Sequence, residues 1–142
     1  IALAFGKKVK KGEKILVKVT LSKTGYNGTD VNSKELTTFD FTKTKAAAEK
    51  AWNKELSKIE VKSSDKNKLT IFYTAMYHTM MQPNISQDLN GNYRGMDDQI
   101  HLANNFDYYS VFSLWDTFRG AHPLYTLLEP ERVTDFVKSC FH

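Results

Sequence analysis

From about residue 66 to residue 82 the chain carries a helical pattern that is apolar on nearly every side, and no other stretch restricts the fold as much. Leu69, Phe72, Tyr73, Met76, Tyr77 and Met80 recur at helical spacing, while Ile71, Ala75, Thr79 and Met81 carry the apolarity around the cylinder. A helix of that kind is buried in something large. Ser63-Ser64-Asp65 offers a cap at its start, and Pro83 cannot continue it. A chain of 142 residues hardly surrounds such a helix. The absence of an initiator Met and the apolar helical pattern running into Cys140-Phe141-His142 point the same way. The expectation is a piece of a longer chain.

Two other segments have a clear period. Ile15, Val17, Val19 and Leu21 alternate with Lys14, Leu16, Lys18 and Thr20, which predicts a half-buried strand, with residues 1–5 as its hairpin partner. Two strands do not stand alone, so they are expected to end a larger β-sandwich. Residues 22–39 read mostly as loop. Over 43–60 the period changes to that of a helix, with Ala48, Trp52, Leu56 and Ile59 on one face and Asp40 or Thr42 as cap. Trp52 reads as an anchor between one domain and the next. Asn90-Gly91 is a hairpin-turn signal. Ser113-x-x-Asp116 reads as a capping box. Pro130 suits the first position of a last helix whose stripe is Val133, Phe136, Val137, Cys140 and Phe141.

Charge divides the chain. Residues 1–70 hold sixteen lysines and no arginine against eight acids, a net +8; residues 71–142 hold one lysine and three arginines against eight acids, a net −4. Five aromatics fall in the first part and thirteen in the second, with every His and Met. Dispersed lysines describe a solvated surface. Without arginine or stacking aromatics the Lys7–Lys14 cluster lacks the equipment of a nucleic-acid site. No apolar run reaches the roughly 20 residues of a membrane-spanning helix. The single Cys140 excludes an internal disulfide framework and a cysteine-rich zinc site. Any chemistry belongs to the second half, where aromatics mix with Asp, Asn, His and Arg as in a site for a polar ligand with apolar faces.

Within that half, Asp88-x-Asn90-x-Asn92 fails as a calcium loop, because the sixth position is Tyr93 and the twelfth is Gln99. His78 has no second metal ligand one turn away. Asp97-Asp98 follows Arg94-Gly95-Met96, but adjacent residues of an extended chain face opposite sides, which disfavours an acid/base dyad. The sharpest feature is Trp115-Asp116-Thr117-Phe118-Arg119 followed by His122-Pro123. At helical spacing Asp116, Arg119 and His122 lie near one another beside an aromatic ring. Asp and Arg can grip vicinal hydroxyls while Trp stacks on a pyranose. A capped helix start with an internal Asp–Arg pair explains the same residues.

The succession of segments is then recognisable: Trp52 to Val61; Phe72-Tyr73-Thr74-Ala75-Met76-Tyr77-His78-Thr79 with Pro83-Asn84; Tyr93-Arg94-Gly95-Met96-Asp97; and Tyr109 to Arg119 with His122-Pro123-Leu124 and Pro130-Glu131-Arg132. From about Lys14 to the end this resembles the α-mannosidases of glycoside hydrolase family 92, known mainly from bacteria. The resemblance implies an N-terminal β-sandwich, linker helices and an (α/α)6 barrel, with the active site between the two domains. Residues 1–40 would be the last sandwich strands, residues 41–64 the linker helix and residues 65–142 the start of the catalytic barrel.

The implied activity is calcium-dependent, exo-acting, inverting hydrolysis of terminal α-mannosides. The acid, the base carboxylates and most calcium ligands would come from later segments, so no catalytic or metal residue is assigned in this chain, and the 142-residue piece alone is expected to be inactive. Asp116 is carried over as a hydroxyl-binding residue, with Trp115, Arg119, His122, Arg94 and Asp97 as further substrate-binding candidates. The implied partners are a mannose-containing glycan and the remainder of the polypeptide. The implied location is secreted, periplasmic or on a bacterial cell surface. The alternative is a non-catalytic carbohydrate-binding or interaction module.

Overall fold

The computed structural model describes Gly6, residues 8–110 and residues 112–141. Helix prevails: α1 (Tyr26–Asn32) with a 3-10 turn (Ser33–Glu35), α2 (Phe41–Leu56), α3 (Lys66–Thr79), a two-stranded antiparallel sheet of β1 (Asn92–Arg94) and β2 (Ile100–Leu102), then α4 (Leu114–Thr117), α5 (Ala121–Leu128) and α6 (Pro130–Phe141). No helix is long and apolar enough to cross a membrane among the described residues.

The alternating segment 14–21 forms no strand, contrary to expectation. A strand closes its hydrogen bonds only on a neighbour. None faces it among the described residues, and Val17, Val19 and Leu21 remain exposed. The expected partner, residues 1–5, lies outside the described residues. Residues 26–35, read as loop, are instead α1 and the 3-10 turn. Their helical state comes from tertiary contacts at Gly28 and Asn32, described below.

The two long helices start where capping chemistry places them. The Asp40 carboxylate accepts from the N–H groups of Thr42 (3.0 Å) and Lys43 (3.2 Å). Asp65 does the same for Asn67 (2.9 Å) and Lys68 (3.2 Å). Each cap satisfies donors that a first helical turn otherwise leaves open. Helix α3 ends at Thr79, three residues before the expected stop at Gln82. Pro83 has no N–H to give the Thr79 carbonyl. The Tyr125 hydroxyl supplies that bond (2.6 Å) and bonds the Gln82 carbonyl (3.1 Å). Trp52 of α2 lies on Tyr77 of α3, 4.5 Å between ring centroids, so it anchors one helix on the next.

The core sits in the second half. Tyr109, Tyr125 and Phe136 form it, with Phe112, Ala121 and Val133 packed against them. Helix α6 therefore uses its Val133–Phe136 side, but Val137 and Phe141 are exposed and Ser139 is buried instead. The reason is a backbone requirement: the Ser139 hydroxyl accepts the Tyr109 N–H at 2.9 Å, a donor that would otherwise be buried unpaired. Helix α3 buries Met76 but leaves Ile71 69% exposed, so the helix that is apolar all round is covered on one side only.

Candidate functional site

The β1–β2 hairpin carries the first group of candidate residues. Asn90-Gly91 does not form its turn. These residues turn the chain into β1, where Gly91, at φ 84°, gives its N–H to the Asp88 carbonyl (2.8 Å). The hairpin itself reverses over Gly95–Gln99, with Asp98 at φ 61°. Asp97 accepts the Gln99 N–H (3.0 Å) and lies 3.0 and 3.1 Å from the His101 Nε2. These contacts, the Gln99 N–H foremost, hold its carboxyl below the ordinary range. A Cβ on Gly95 would come within 2.7 Å of Asp97 Oδ1 and 2.8 Å of the His101 ring, so this clasp requires glycine. Arg94 donates from Nε to the Lys23 carbonyl (2.9 Å) and from Nη1 to the Asp98 carbonyl (2.7 Å). Asp97 and Asp98 thus have separate structural tasks and form no dyad.

Beneath the hairpin, Tyr93 is 1% exposed and stacks on Tyr108 at 3.8 Å and on His101 at 5.5 Å. Burial pushes both tyrosine hydroxyls up in pKa, so they stay neutral. The strip 84–86 runs antiparallel to 108–110 alongside, with Ser86 N–H on the Tyr108 carbonyl (2.7 Å) and Ser110 N–H on the Asn84 carbonyl (2.8 Å).

The second group lies at the α4–α5 corner. Trp115 is 82% exposed, and Asp116 beside it is also exposed. Ser113 precedes α4 but its side chain makes no cap hydrogen bond, so the expected capping box does not form. Helix α4 stops at Thr117, and Gly120 (φ −135°, ψ −49°) breaks the path before α5. Asp116 and His122 therefore stand on separate helices. The expected Asp116–Arg119 pair is absent: Arg119 lies over the Phe118 ring at 5.4 Å. His122 packs between Phe112 (5.1 Å) and Tyr125 (5.8 Å), with Nδ1 buried and without a hydrogen-bond partner among the described residues. Among the described residues no hydrogen bond, ion pair or ring contact joins this group to the hairpin group.

Two further centres were not picked out from the sequence. One is a charged ring between α2 and the α5–α6 junction. The Glu55 carboxylate takes both Arg132 terminal nitrogens (2.9 and 3.1 Å) and Lys58 (2.6 Å), while Glu129 also contacts Lys58 and lies 3.4 Å from Arg132. Burial works against the Glu55 charge, but the hydrogen bonds from Lys58 and Arg132 outweigh it and hold the carboxyl at about 2, against an ordinary 4.5. The other centre is Asp88, 3% exposed, which accepts from Ser22, Thr24 and Asn32. Its sequence signal was an Asp opening the turn that Asn90-Gly91 completes. No group of three or more His, Cys, Asp or Glu capable of holding a metal occurs among the described residues.

Trp115 and Asp116 present an exposed ring and an exposed carboxylate side by side at the α4–α5 corner. The glycosyl hydrolase family 92 catalytic domain matches residues 29–142, and the chain belongs to this family. It is similar to the family 92 α-mannosidase of Bacteroides thetaiotaomicron, with 41% identity and a TM-score of 0.78 over 83% of this chain and 16% of that one. The same enzyme in complex with mannoimidazole matches equally well. The family 92 glycosyl hydrolase ccman5 is 26% identical, with a TM-score of 0.70 over 83% of this chain. No curated protein matches. The chain thus spans about a sixth of the length of the enzymes it resembles, 16% in the first.

Proposed function

We propose that this chain is part of an exo-acting, inverting α-mannosidase that hydrolyses terminal α-mannosides of glycans. The observation that carries the reading is the 41% identity to an α-mannosidase across 83% of the chain. In this reading residues 1–40 end a β-sandwich, residues 41–64 hold the linker helix and residues 65–142 begin an (α/α)6 barrel. The seating of α2 on α3 through Trp52, and on the α5–α6 junction through Glu55, supports a linker helix joined to its catalytic domain. The glycan and the rest of the polypeptide are the partners, and the enzyme works outside the cytoplasm, in the periplasm, at the cell surface or secreted.

The chain's own contribution is substrate binding at the α4–α5 corner. Asp116 is exposed and has no hydrogen-bond or ion-pair partner among the described residues, so its carboxylate is available to accept hydrogen bonds from two adjacent sugar hydroxyls. Trp115 offers an open ring face to the apolar side of the pyranose. Arg119 and His122 add donors around the same corner. Arg94 and Asp97 serve the site through the hairpin, since both are already engaged with protein atoms. Calcium, when bound, would polarise sugar hydroxyls. In this reading most of its ligands come from other segments of the polypeptide. Inversion needs two carboxyl groups roughly 6.5–9.5 Å apart with a water between, and these too belong elsewhere.

The test is product stereochemistry. The complete polypeptide is given an aryl α-mannoside and followed by proton NMR from the first turnover. Initial release of β-mannose is expected. Initial α-mannose would overturn inversion, and no turnover would overturn the mannosidase reading in favour of a non-catalytic module. The isolated 142-residue chain should show no turnover above a matched blank.

A further inference from the structure

We propose that Asp88 is a latch that seats residues 21–32 on the start of the catalytic domain, and through it a positioning residue for the β1–β2 hairpin that carries Arg94 and Asp97; a part for that hairpin in the sugar site rests on the α-mannosidase reading above.

Apolar packing does little to hold residues 21–32 in place, Val31 being only half-buried. Leu21 and Tyr26 are 81% and 91% exposed, and the buried residue of α1 is Gly28, which has no side chain. The attachments are polar and converge on one carboxylate. Ser22 Oγ donates to Asp88 Oδ2 at 2.9 Å, Thr24 Oγ1 donates to the same oxygen, and Asn32 Nδ2 donates to Oδ1 at 2.7 Å. The neighbouring bonds follow the same seam. Asn32 Oδ1 accepts the Leu89 N–H (2.8 Å), Lys23 Nζ reaches Ser86 Oγ (2.8 Å), and Arg94 holds the Lys23 carbonyl (2.9 Å).

The dependence runs in both directions. Asp88 is buried and has no cationic partner among the described residues. A buried carboxylate in that position relies wholly on hydrogen-bond donors. Among the described residues its side-chain donors all come from residues 22–32, so the segment satisfies the carboxylate and the carboxylate retains the segment. The backbone aims it. Asp88 N–H is bonded to the Asn92 carbonyl (2.7 Å) and Gly91 N–H to the Asp88 carbonyl (2.8 Å), which locks the side chain to the start of β1. Helix α1 comes close enough that a Cβ on Gly28 would sit 2.2 Å from both Asp88 Oδ2 and Ser22 Oγ. Real Cβ atoms do not occupy such distances, so Gly28 is the second half of the latch. What the latch positions is the hairpin: β1 carries Arg94, and Arg94 itself grips Lys23 within the latched segment.

Hydrogen exchange read by mass spectrometry tests this in the complete polypeptide, with Asp88→Ala, Asp88→Asn and Gly28→Ala beside the wild type. Asp88→Ala and Gly28→Ala should speed exchange over 22–32 by about tenfold or more while α3 exchanges at the wild-type rate, the mark of local rather than global opening. Asp88→Asn, which keeps one acceptor oxygen, should fall between. Wild-type exchange over 22–32 in both Asp88→Ala and Gly28→Ala, or equal acceleration in α3, overturns the latch. Michaelis kinetics on an aryl α-mannoside test its positioning role. A loss of kcat/KM that Asp88→Asn partly restores supports it. A loosened segment with unchanged kinetics overturns that role. A wild type that turns over no mannoside sinks the mannosidase reading, and the exchange data still decide the latch.

Discussion

Residues 14–21 and residues 130–141 are both amphipathic, and they reach opposite states. Phe136 on α6 is 5% exposed, whereas Val19, in the alternating segment, is 77% exposed. The contrast lies in where each closes its backbone hydrogen bonds. A helix pairs its own N–H and C=O groups and needs neighbours only for its apolar stripe. A strand needs a neighbour for the backbone as well. Helix α6 finds Tyr109 and Tyr125 in the fold, while the strand-like segment finds no partner among the described residues. Similar patterning therefore buries side chains in one half of the molecule and leaves them in solvent in the other.

Phe136→Ala puts the larger side of this contrast to the test. It removes a ring that meets Tyr109 at 4.7 Å, Tyr125 at 5.7 Å and Phe112 at 5.9 Å. Losing a buried Phe costs about 3–5 kcal/mol, and denaturant unfolding should show it. A loss under 1 kcal/mol would mean that α6 does not carry the core.

The ion ring ranks next. Glu55→Gln leaves Arg132 and Lys58 short of their carboxylate and should cost about 2 kcal/mol near pH 7, in the range of charge-assisted hydrogen bonds. The sign of its pH dependence follows from a carboxyl lowered to about 2 from 4.5. Glu55 contributes fully above its ordinary pKa, and that contribution is lost as pH falls from 4.5 toward 2. Wild type and variant should converge over that window. A gap that stays constant down to pH 2 would remove the ionised Glu55 from the explanation.

Asp116→Ala separates function from burial. The residue buries nothing and caps nothing, so the melting temperature should hold. In the complete enzyme kcat/KM should fall at least about tenfold, which corresponds to 1.4 kcal/mol of lost transition-state binding. A lower melting temperature with normal kinetics would return Asp116 to a structural role.

The smallest effect belongs to Val19→Ala, within about 0.5 kcal/mol in the isolated chain, as for an exposed site. If a sandwich covers the segment in the complete polypeptide, the same change there should cost about 1.5 kcal/mol. Equal, negligible costs in both settings would count against residues 1–40 as the end of that sandwich.

Local signals in the sequence were decisive where the chemistry is local. Asp40 and Asp65 cap α2 and α3 as their positions required, Trp52 anchors α2 on α3, and Pro130 opens α6. The family, too, was legible from its ordered motifs. The placement of the long-range partners was not. Residues 26–35 carry loop-like composition, yet they are helical where Gly28 and Asn32 meet Asp88, more than fifty positions away. Asn90-Gly91 signalled a reversal, but β1 pairs further along, and the reversal falls at Gly95–Gln99 instead. The Asp116, Arg119 and His122 spacing suggested one helical cluster, but Asp116 is on α4, His122 on α5 and Arg119 on the turn between them.

By itself, then, the sequence determined the caps, the helical periods and the family, because each depends on a few neighbouring residues or on motif order. Only the tertiary structure decided the Asp88 latch, the Glu55–Arg132 ring and the separation of the two candidate groups. Those contacts join residues tens of positions apart, and their stability comes from satisfying buried charges and backbone groups that no local pattern displays.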